Sequence, residues 1–291
     1  MATLYNQVSS NNRKAFFLIF FFLILVIGLG WIFSYVFNDV AILYFAVIIS
    51  SVMSFVSYYN SDKVVLSMVG AHEIQKSDSP ELYRIVENLA ITAGTQTPKI
   101  YILEERQPNA FATGRDEKHA VIAVTRGLLD VLNKRELEAV VAHEMSHIKS
   151  KDILVASIVV ILVGIVAILS DIFLRSLYFT NHNDNKNPIM LVLAIIGMIL
   201  APLAASLIQL AISRKEEFKA DANAALLTRD PEGLASALIK ISSNKTPLSK
   251  INNATAHLYI SSPEKGRVSW YNKMFMTHPP VEDRVKALRE L

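Results

Sequence analysis

Two long apolar runs open the chain. Residues 15–37 form an uninterrupted apolar run after the polar residues 1–14, and residues 40–59 form a second run after a short turn at residues 38–39. A helix that crosses a bilayer needs about 20 apolar residues, so each run is long enough to span a membrane. The pattern predicts an N-terminal transmembrane hairpin over residues 1–60.

A second pair of apolar runs lies in the middle of the chain. Residues 153–174 and 189–212 are each long enough to cross a bilayer, and the polar residues 180–188 separate them. Pro202 is expected to kink the last of these helices. The sequence therefore predicts four transmembrane helices, with a second hairpin over residues 153–212.

The remaining segments, residues 61–152 and 213–291, have the mixed pattern of a soluble domain. Helices are predicted to begin at residues 79–80, 133, 230–231 and 279–280, with Asn133 and Glu136 forming a capping box. Short alternating stretches predict strands at residues 99–103, 109–114 and 120–124. We therefore predict an α+β membrane protein, in which the two hairpins alternate with two mainly helical soluble parts that share a small β-sheet.

Composition supports the membrane and restricts the chemistry. Hydrophobic residues make up 52% of the chain and the mean hydropathy is +0.34, which is high for a soluble domain. Cysteine is absent, which excludes a thiol nucleophile, a disulfide framework and a cysteine-bound zinc. Any zinc ion must be held by histidine and carboxylate ligands, a set that suits catalytic sites better than structural ones.

The distribution of basic residues predicts the orientation. All but two of the 29 lysine and arginine residues lie outside residues 153–212, and several flank the ends of the predicted spans. By the positive-inside rule, both termini and both soluble parts are expected on the cytoplasmic side. The flanking cations could also contact anionic lipid headgroups. The net charge of +3 gives no indication of nucleic-acid binding, and none is expected.

The most informative motif is His143-Glu144-Met145-Ser146-His147, in the helix that starts at Asn133. Histidines four residues apart lie on the same helical face, so both imidazoles can bind one metal ion. Glu144 can then take a proton from a water molecule held by that ion. This is the H-E-x-x-H arrangement of zinc metalloproteases.

A third ligand is expected directly after the last predicted span, where the chain returns to the same membrane surface. The segment from Ser213 to Asp221 offers Glu216 and Glu217, and spacing alone does not choose between them. Asp221 lies one helical turn after Glu217 and could hydrogen-bond a ligand histidine. The isolated histidines have no partner at ligand spacing and are interpreted as surface or core residues: His72, His119, His182 and His257.

Four motifs in these positions resemble the HtpX family, the heat-shock membrane zinc metalloproteases of bacteria. They are NAFATG, HEMSH before a transmembrane hairpin, SRKEEFKAD after it, and the terminal THPPVEDRVKAL. The resemblance covers nearly the whole chain, and its register places the third ligand on Glu217 and the family's aspartate on Asp221. Glu216 lies where the family often has arginine, so this segment is more acidic than the family's motif.

The resemblance implies a gluzincin-like peptidase domain with one Zn²⁺ per chain, in the bacterial inner membrane. It implies cleavage of damaged or misfolded membrane proteins and of unfolded polypeptide, as part of a stress response. It also suggests His278 as a catalytic residue, for the oxyanion or for substrate contact; a surface histidine that caps a helix is an equal alternative.

The strand predicted at residues 109–114 is a candidate for substrate binding. Proteases that accept varied segments can pair an extended peptide with an exposed strand edge. The small alanines leave room for a second backbone, and the resemblance places the substrate contacts at Asn109, Ala110, Phe111 and Ala112. An ordinary edge strand without this role is the alternative.

Two other functions stay open from the sequence. One is a prenyl-protein CaaX endoprotease, from the wider family, although only four spans are present to build its chamber. The other is a membrane scaffold with a structural zinc ion, although structural sites usually have four protein ligands and Glu144 would have no role there.

Overall fold

The structure, a computed structural model, describes residues 4–180, 196, 213–244, 246, 258–260 and 279–291. The N-terminal half contains helices α1 (Leu4–Phe37), α2 (Ala41–Tyr59), α3 (Ser61–Val69), α4 (Pro80–Ala93) and α5 (Arg126–Val131). Further along lie α6 (Lys134–Ser150), α7 (Asp152–Thr180), α8 (Arg214–Thr228), α9 (Pro231–Ser243) and α10 (Val281–Arg289). The strands are β1 (His72–Glu73), β2 (Lys99–Leu103), β3 (Ala110–Thr113) and β4 (Val121–Thr125). The prediction of a mainly helical chain with a small sheet is confirmed.

The four strands form one mixed sheet in the order β1-β2-β4-β3. Strands β2 and β4 are parallel, whereas β1 pairs with β2 and β3 pairs with β4 in antiparallel fashion. Strand β3 is therefore at one edge of the sheet. A short 3-10 turn at Glu117–His119 connects it to β4.

The sheet separates two hydrophobic cores. Alternate residues of β4 face opposite sides: Ile122 and Val124 pack with α4, α6, α8 and α9, and Val121 and Ala123 pack with α1, α3 and α7. Because both faces are covered, the strand is apolar at nearly every position instead of alternating with polar residues. The sheet thus lies between α4, α6, α8 and α9 on one side and α1, α3 and α7 on the other.

Within the part of the chain that the structure describes, two helices are long and apolar enough to cross a membrane, Tyr5–Tyr35 and Ala41–Tyr59. In the same residues, a third crossing is counted if the pair Lys134–Ser150 and Asp152–Ile168, bent by 86°, is taken as one span. The fourth predicted span, residues 189–212, lies outside the described residues except for Ile196. The first helix begins at Leu4 instead of near residue 15, so the polar N-terminal segment is part of it.

Local capping signals fix the ends of the helix that carries H-E-x-x-H. Asn133 accepts a hydrogen bond from the Glu136 amide, and the Glu136 carboxylate accepts one from the Asn133 amide, which confirms the capping box. The helix ends at Lys151, in the left-handed conformation with φ of 59°. That residue turns the chain sharply into α7. Helix α4 begins as predicted, with Ser79 as its N-cap residue and Pro80 in its first turn, although the Ser79 side chain makes no capping hydrogen bond.

Candidate metal centre

Helix α6 places His143 and His147 side by side in the core of the soluble part. Their rings are 4.8 Å apart between centroids, and their Nε2 atoms are 3.2 Å apart. His143 is a polar residue and is only 1% exposed, and His147 is half-buried. Burying an imidazole is costly unless it has a polar or ionic partner.

Helix α8 brings the third residue to the same point. Glu217 lies with its Oε2 3.9 Å from His143 Nε2 and its Oε1 3.5 Å from His147 Nε2. One ligand atom from each of His143, His147 and Glu217 lies within 4.8 Å of the others. We call these three residues the metal-ligand group.

The spacing within this group fits a tetrahedral metal ion. With metal–nitrogen bonds of about 2.0–2.1 Å and tetrahedral angles, two ligand nitrogens lie about 3.3 Å apart. The observed 3.2 Å between the Nε2 atoms agrees with this distance. Two imidazoles and one carboxylate are also a set that zinc accepts with its fourth position left to water or substrate.

The ring of His143 is oriented by a buried ion pair. Its Nδ1 atom lies 3.0 Å from Asp221 Oδ1. Arg284, from α10, is 1% exposed and donates to both carboxylate oxygens of Asp221, at 2.8 and 2.6 Å. Burial raises the pKa of Asp221, but the arginine outweighs this effect and lowers it to about 2. The carboxylate is therefore charged at any physiological pH.

The ring of His147 is oriented in the same way by Asp152, at the start of α7. The Nδ1 atom lies 3.2 Å from Asp152 Oδ2. Burial lowers the pKa of His147, but the carboxylates of Asp152 and Glu217 outweigh burial and raise it to about 9. With each Nδ1 facing a carboxylate, both Nε2 atoms face the third residue of the group, Glu217. A metal ion bound there would displace a proton from His147.

Glu144 lies beside the metal-ligand group and is 4% exposed. Burial raises the pKa of its carboxyl, the neighbouring Glu217 adds to this, and the two histidines act in the opposite direction. The Ala112 amide donates a hydrogen bond to the Glu144 carboxylate. A carboxylate with a raised pKa is better suited to accept a proton during a reaction.

A cavity opens onto these groups between α6, α8 and β3. His143, Glu144, His147 and Glu217 line it, together with Ala112. The other predicted substrate residues are buried: Asn109, Ala110 and Phe111 are each at most 1% exposed. The ring of Phe111 points to the opposite side of the sheet, where it packs edge-on against Tyr259 with centroids 5.6 Å apart.

The structure also distinguishes the two adjacent glutamates. The Glu216 carboxylate accepts hydrogen bonds from Gln7 Nε2 and Lys219 Nζ, both at 2.8 Å, whereas Glu217 faces the two histidines. The exposed His72 and His119 lie away from the cavity. Predicted His278, and also His182 and His257, lie outside the described residues.

Sequence reasoning missed two residues that orient the ligands. Asp152 belongs to none of the four motifs, and Arg284 lies in the THPPVEDRVKAL motif, where the sequence indicates no role for it. The amphipathic pattern of α10 was the available signal for Arg284. Val285 and Leu288 mark the buried face of this short helix, and Arg284 lies on the same face.

Comparison with known proteins gives consistent results. The family described as "Peptidase family M48" matches residues 76–291. The chain is 42% identical over 297 residues to a "Protease HtpX homolog" from Caldanaerobacter subterraneus, covering 99% of this chain and 98% of the relative. It is 43% identical over 269 residues to a "Protease HtpX homolog" from Pyrococcus furiosus, covering 92% and 91% of the two chains.

Among solved structures, the fold is similar to the crystal structure of S. mikatae Ste24p. The TM-score is 0.51 with 20% sequence identity, covering 98% of this chain and 67% of the other. This likeness concerns the fold alone.

Proposed function

Since the chain belongs to peptidase family M48 and is a membrane metalloprotease, we propose that it uses one zinc ion to cleave damaged or misfolded membrane proteins at the cytoplasmic face. The observation that supports this most is the buried metal-ligand group with Glu144 beside it. Family membership sets aside the alternative of a non-enzymatic scaffold. The curated relatives are named as HtpX homologues, which favours this proposal over a CaaX endoprotease.

We assign the zinc ligands to His143, His147 and Glu217. The ion, when bound, would lower the pKa of a water molecule and polarise the scissile carbonyl. Glu144 is the general base: it accepts the proton of the attacking water and later passes it to the leaving amine nitrogen. His278, from the family resemblance, is the candidate for stabilising the oxyanion.

We propose that Asp221 and Asp152 act on the ligands and not on the substrate. Asp221 Oδ1 lies 3.0 Å from His143 Nδ1, and Asp152 Oδ2 lies 3.2 Å from His147 Nδ1. This contact fixes the ring and increases the basicity of the nitrogen that faces the metal.

The position of β3 at the end of the strand order supports the proposal that substrate binds there as an added strand. Thr125 donates its amide to the Asn109 carbonyl, so residues 109, 111 and 113 exchange hydrogen bonds with β4. The backbone groups of Ala110 and Ala112 therefore point away from β4. Ile260 already donates its amide to the Ala110 carbonyl at 3.2 Å. A substrate backbone would therefore pair at the Ala112 end, where it would replace Glu144 at the Ala112 amide.

This proposal predicts that Ala112→Pro weakens substrate binding by removing one outward amide. Because that amide also contacts Glu144, binding is measured in the inactive Glu144→Gln background, with an uncleaved fluorescent peptide. We expect the affinity to fall about tenfold, in line with the loss of one buried hydrogen bond, while zinc content is unchanged. Ala112→Gly keeps the amide and is the control. Equal affinity of a folded Ala112→Pro variant would argue against strand pairing at this position.

The side of the membrane is also a proposal, supported by the basic residues that flank the apolar helices. We propose hairpins at residues 1–60 and 153–212 and cytoplasmic peptidase parts at residues 61–152 and 213–291, in the inner membrane of a bacterium.

This topology makes a direct prediction for reporter fusions. A reporter that is active only in the periplasm should be silent when fused after Lys76 or after Leu291, because both positions are cytoplasmic. It should be active when inserted between Asn181 and Asn187. A periplasmic signal from the fusion at Leu291 would overturn the four-span arrangement.

A further inference from the structure

The polar beginning of α1 reaches the metal-ligand group. The buried residues Ala15, Leu18 and Phe22 mark the inward face of this helix. Counting back by four residues from Ala15 gives Asn11, which is 3% exposed, and a further four gives Gln7. The inward face is therefore continued by amides. Anchoring in the membrane does not require a buried asparagine.

Both amide hydrogens of Asn11 are used. Nδ2 donates to the Ser150 carbonyl at 3.0 Å and to Asp152 Oδ1 at 2.5 Å. An asparagine side chain has two N–H donors, so its donating capacity is complete. The first bond satisfies a carbonyl at the end of α6, and the second holds a carboxylate at the start of α7. Asn11 thus bridges the sharp turn between these two helices.

The other oxygen of Asp152 faces the ligand histidine. Oδ2 accepts from Ser150 Oγ at 2.7 Å and lies 3.2 Å from His147 Nδ1. A continuous series of hydrogen bonds therefore runs from Asn11 through Asp152 to His147. On the other side of the group, Arg284 donates to Asp221, whose Oδ1 lies 3.0 Å from His143 Nδ1.

We propose that Asn11 is a positioning residue for the metal site, acting through Asp152 on the orientation and tautomer of His147. The inference rests on the proposed metal-ligand group. It makes the first membrane helix part of the peptidase site, although that helix lies outside residues 76–291, the part that matches the family. Changes to residues that contact a metal ligand typically lower metal affinity 10–100-fold, and Asn11 is one contact further away.

The test compares Asn11→Leu with Asn12→Leu in the full-length protein in detergent. The two asparagines are adjacent, but Asn12 is exposed on the outward face of the helix and is the matched control. Zinc affinity is measured by competition with a chromophoric chelator. We expect about tenfold weaker zinc binding for Asn11→Leu, a lower kcat with KM unchanged, and wild-type values for Asn12→Leu. Asn11→Ala, a smaller change that favours the helix, should repeat the effect.

A double-mutant cycle with Asp152→Asn distinguishes positioning from packing. If Asn11 acts through Asp152, adding Asn11→Leu to Asp152→Asn should cause little further loss of zinc affinity. Additive losses, or unchanged zinc affinity in folded Asn11→Leu or Asn11→Ala, would overturn the inference. If the wild-type protein itself bound no zinc, the metal-ligand group would be wrong, which is a separate outcome.

Discussion

Replacing Glu144 by glutamine should abolish proteolysis and leave zinc binding intact. Glutamine has the shape of glutamate but cannot accept the proton of the attacking water, and loss of a general base typically slows a reaction about 10²–10⁴-fold. Glu144 is not a member of the metal-ligand group, so the ligands are unchanged. Cleavage of casein and zinc content, measured on the same purified sample, check the two expectations.

Stability serves as an internal control in this experiment. Burial raises the pKa of Glu144, which means that the folded protein disfavours its charged form. A neutral glutamine removes this cost, so the melting temperature of Glu144→Gln should equal or exceed that of the wild type. Glu138→Gln, on the same helix but outside the cavity, should cleave casein normally. Casein cleavage by Glu144→Gln near the wild-type rate would show that another residue is the base.

Removing any one residue of the metal-ligand group should release zinc. His143→Ala, His147→Ala and Glu217→Ala each delete one of three ligands, and we expect zinc affinity to fall by more than about 100-fold, beyond the typical effect of changing a residue behind the ligands. Metal analysis after dialysis against a weak chelator provides the measurement.

The adjacent glutamate is the matched control for this series. Glu216→Ala removes the same side chain one residue away, but its carboxylate is bound by Gln7 and Lys219 and not by the histidines. It should retain zinc. Loss of zinc from Glu216→Ala together with retention in Glu217→Ala would place the third ligand one residue earlier in α8.

Local patterns in the sequence were sufficient for much of the fold. Helix α4, helix α6 with its capping box, and strands β2 to β4 all lie where periodicity and capping residues predict them. The i, i+4 spacing of His143 and His147 also places both imidazoles together without any tertiary information, because the helix itself fixes that geometry. The choice of Glu217 over Glu216 needed the family resemblance as well.

The residues that support the ligands could be identified only from the tertiary structure. Asn11 lies 141 residues from Asp152, and Asp221 lies 63 residues from Arg284. No periodicity links such positions, because the contact depends on how α1, α7 and α10 pack around α6.

The edge position of β3 is also a tertiary feature. Because β4 pairs in parallel with β2, β3 pairs with β4 alone and lies at the end of the strand order. The sequence by itself placed His143, Glu144 and His147 together on one helix and located the apolar helices, since these follow from spacing and composition along one element. The tertiary structure decided which distant polar groups surround them, since a buried polar side chain is stable only where other elements supply its hydrogen-bond partners.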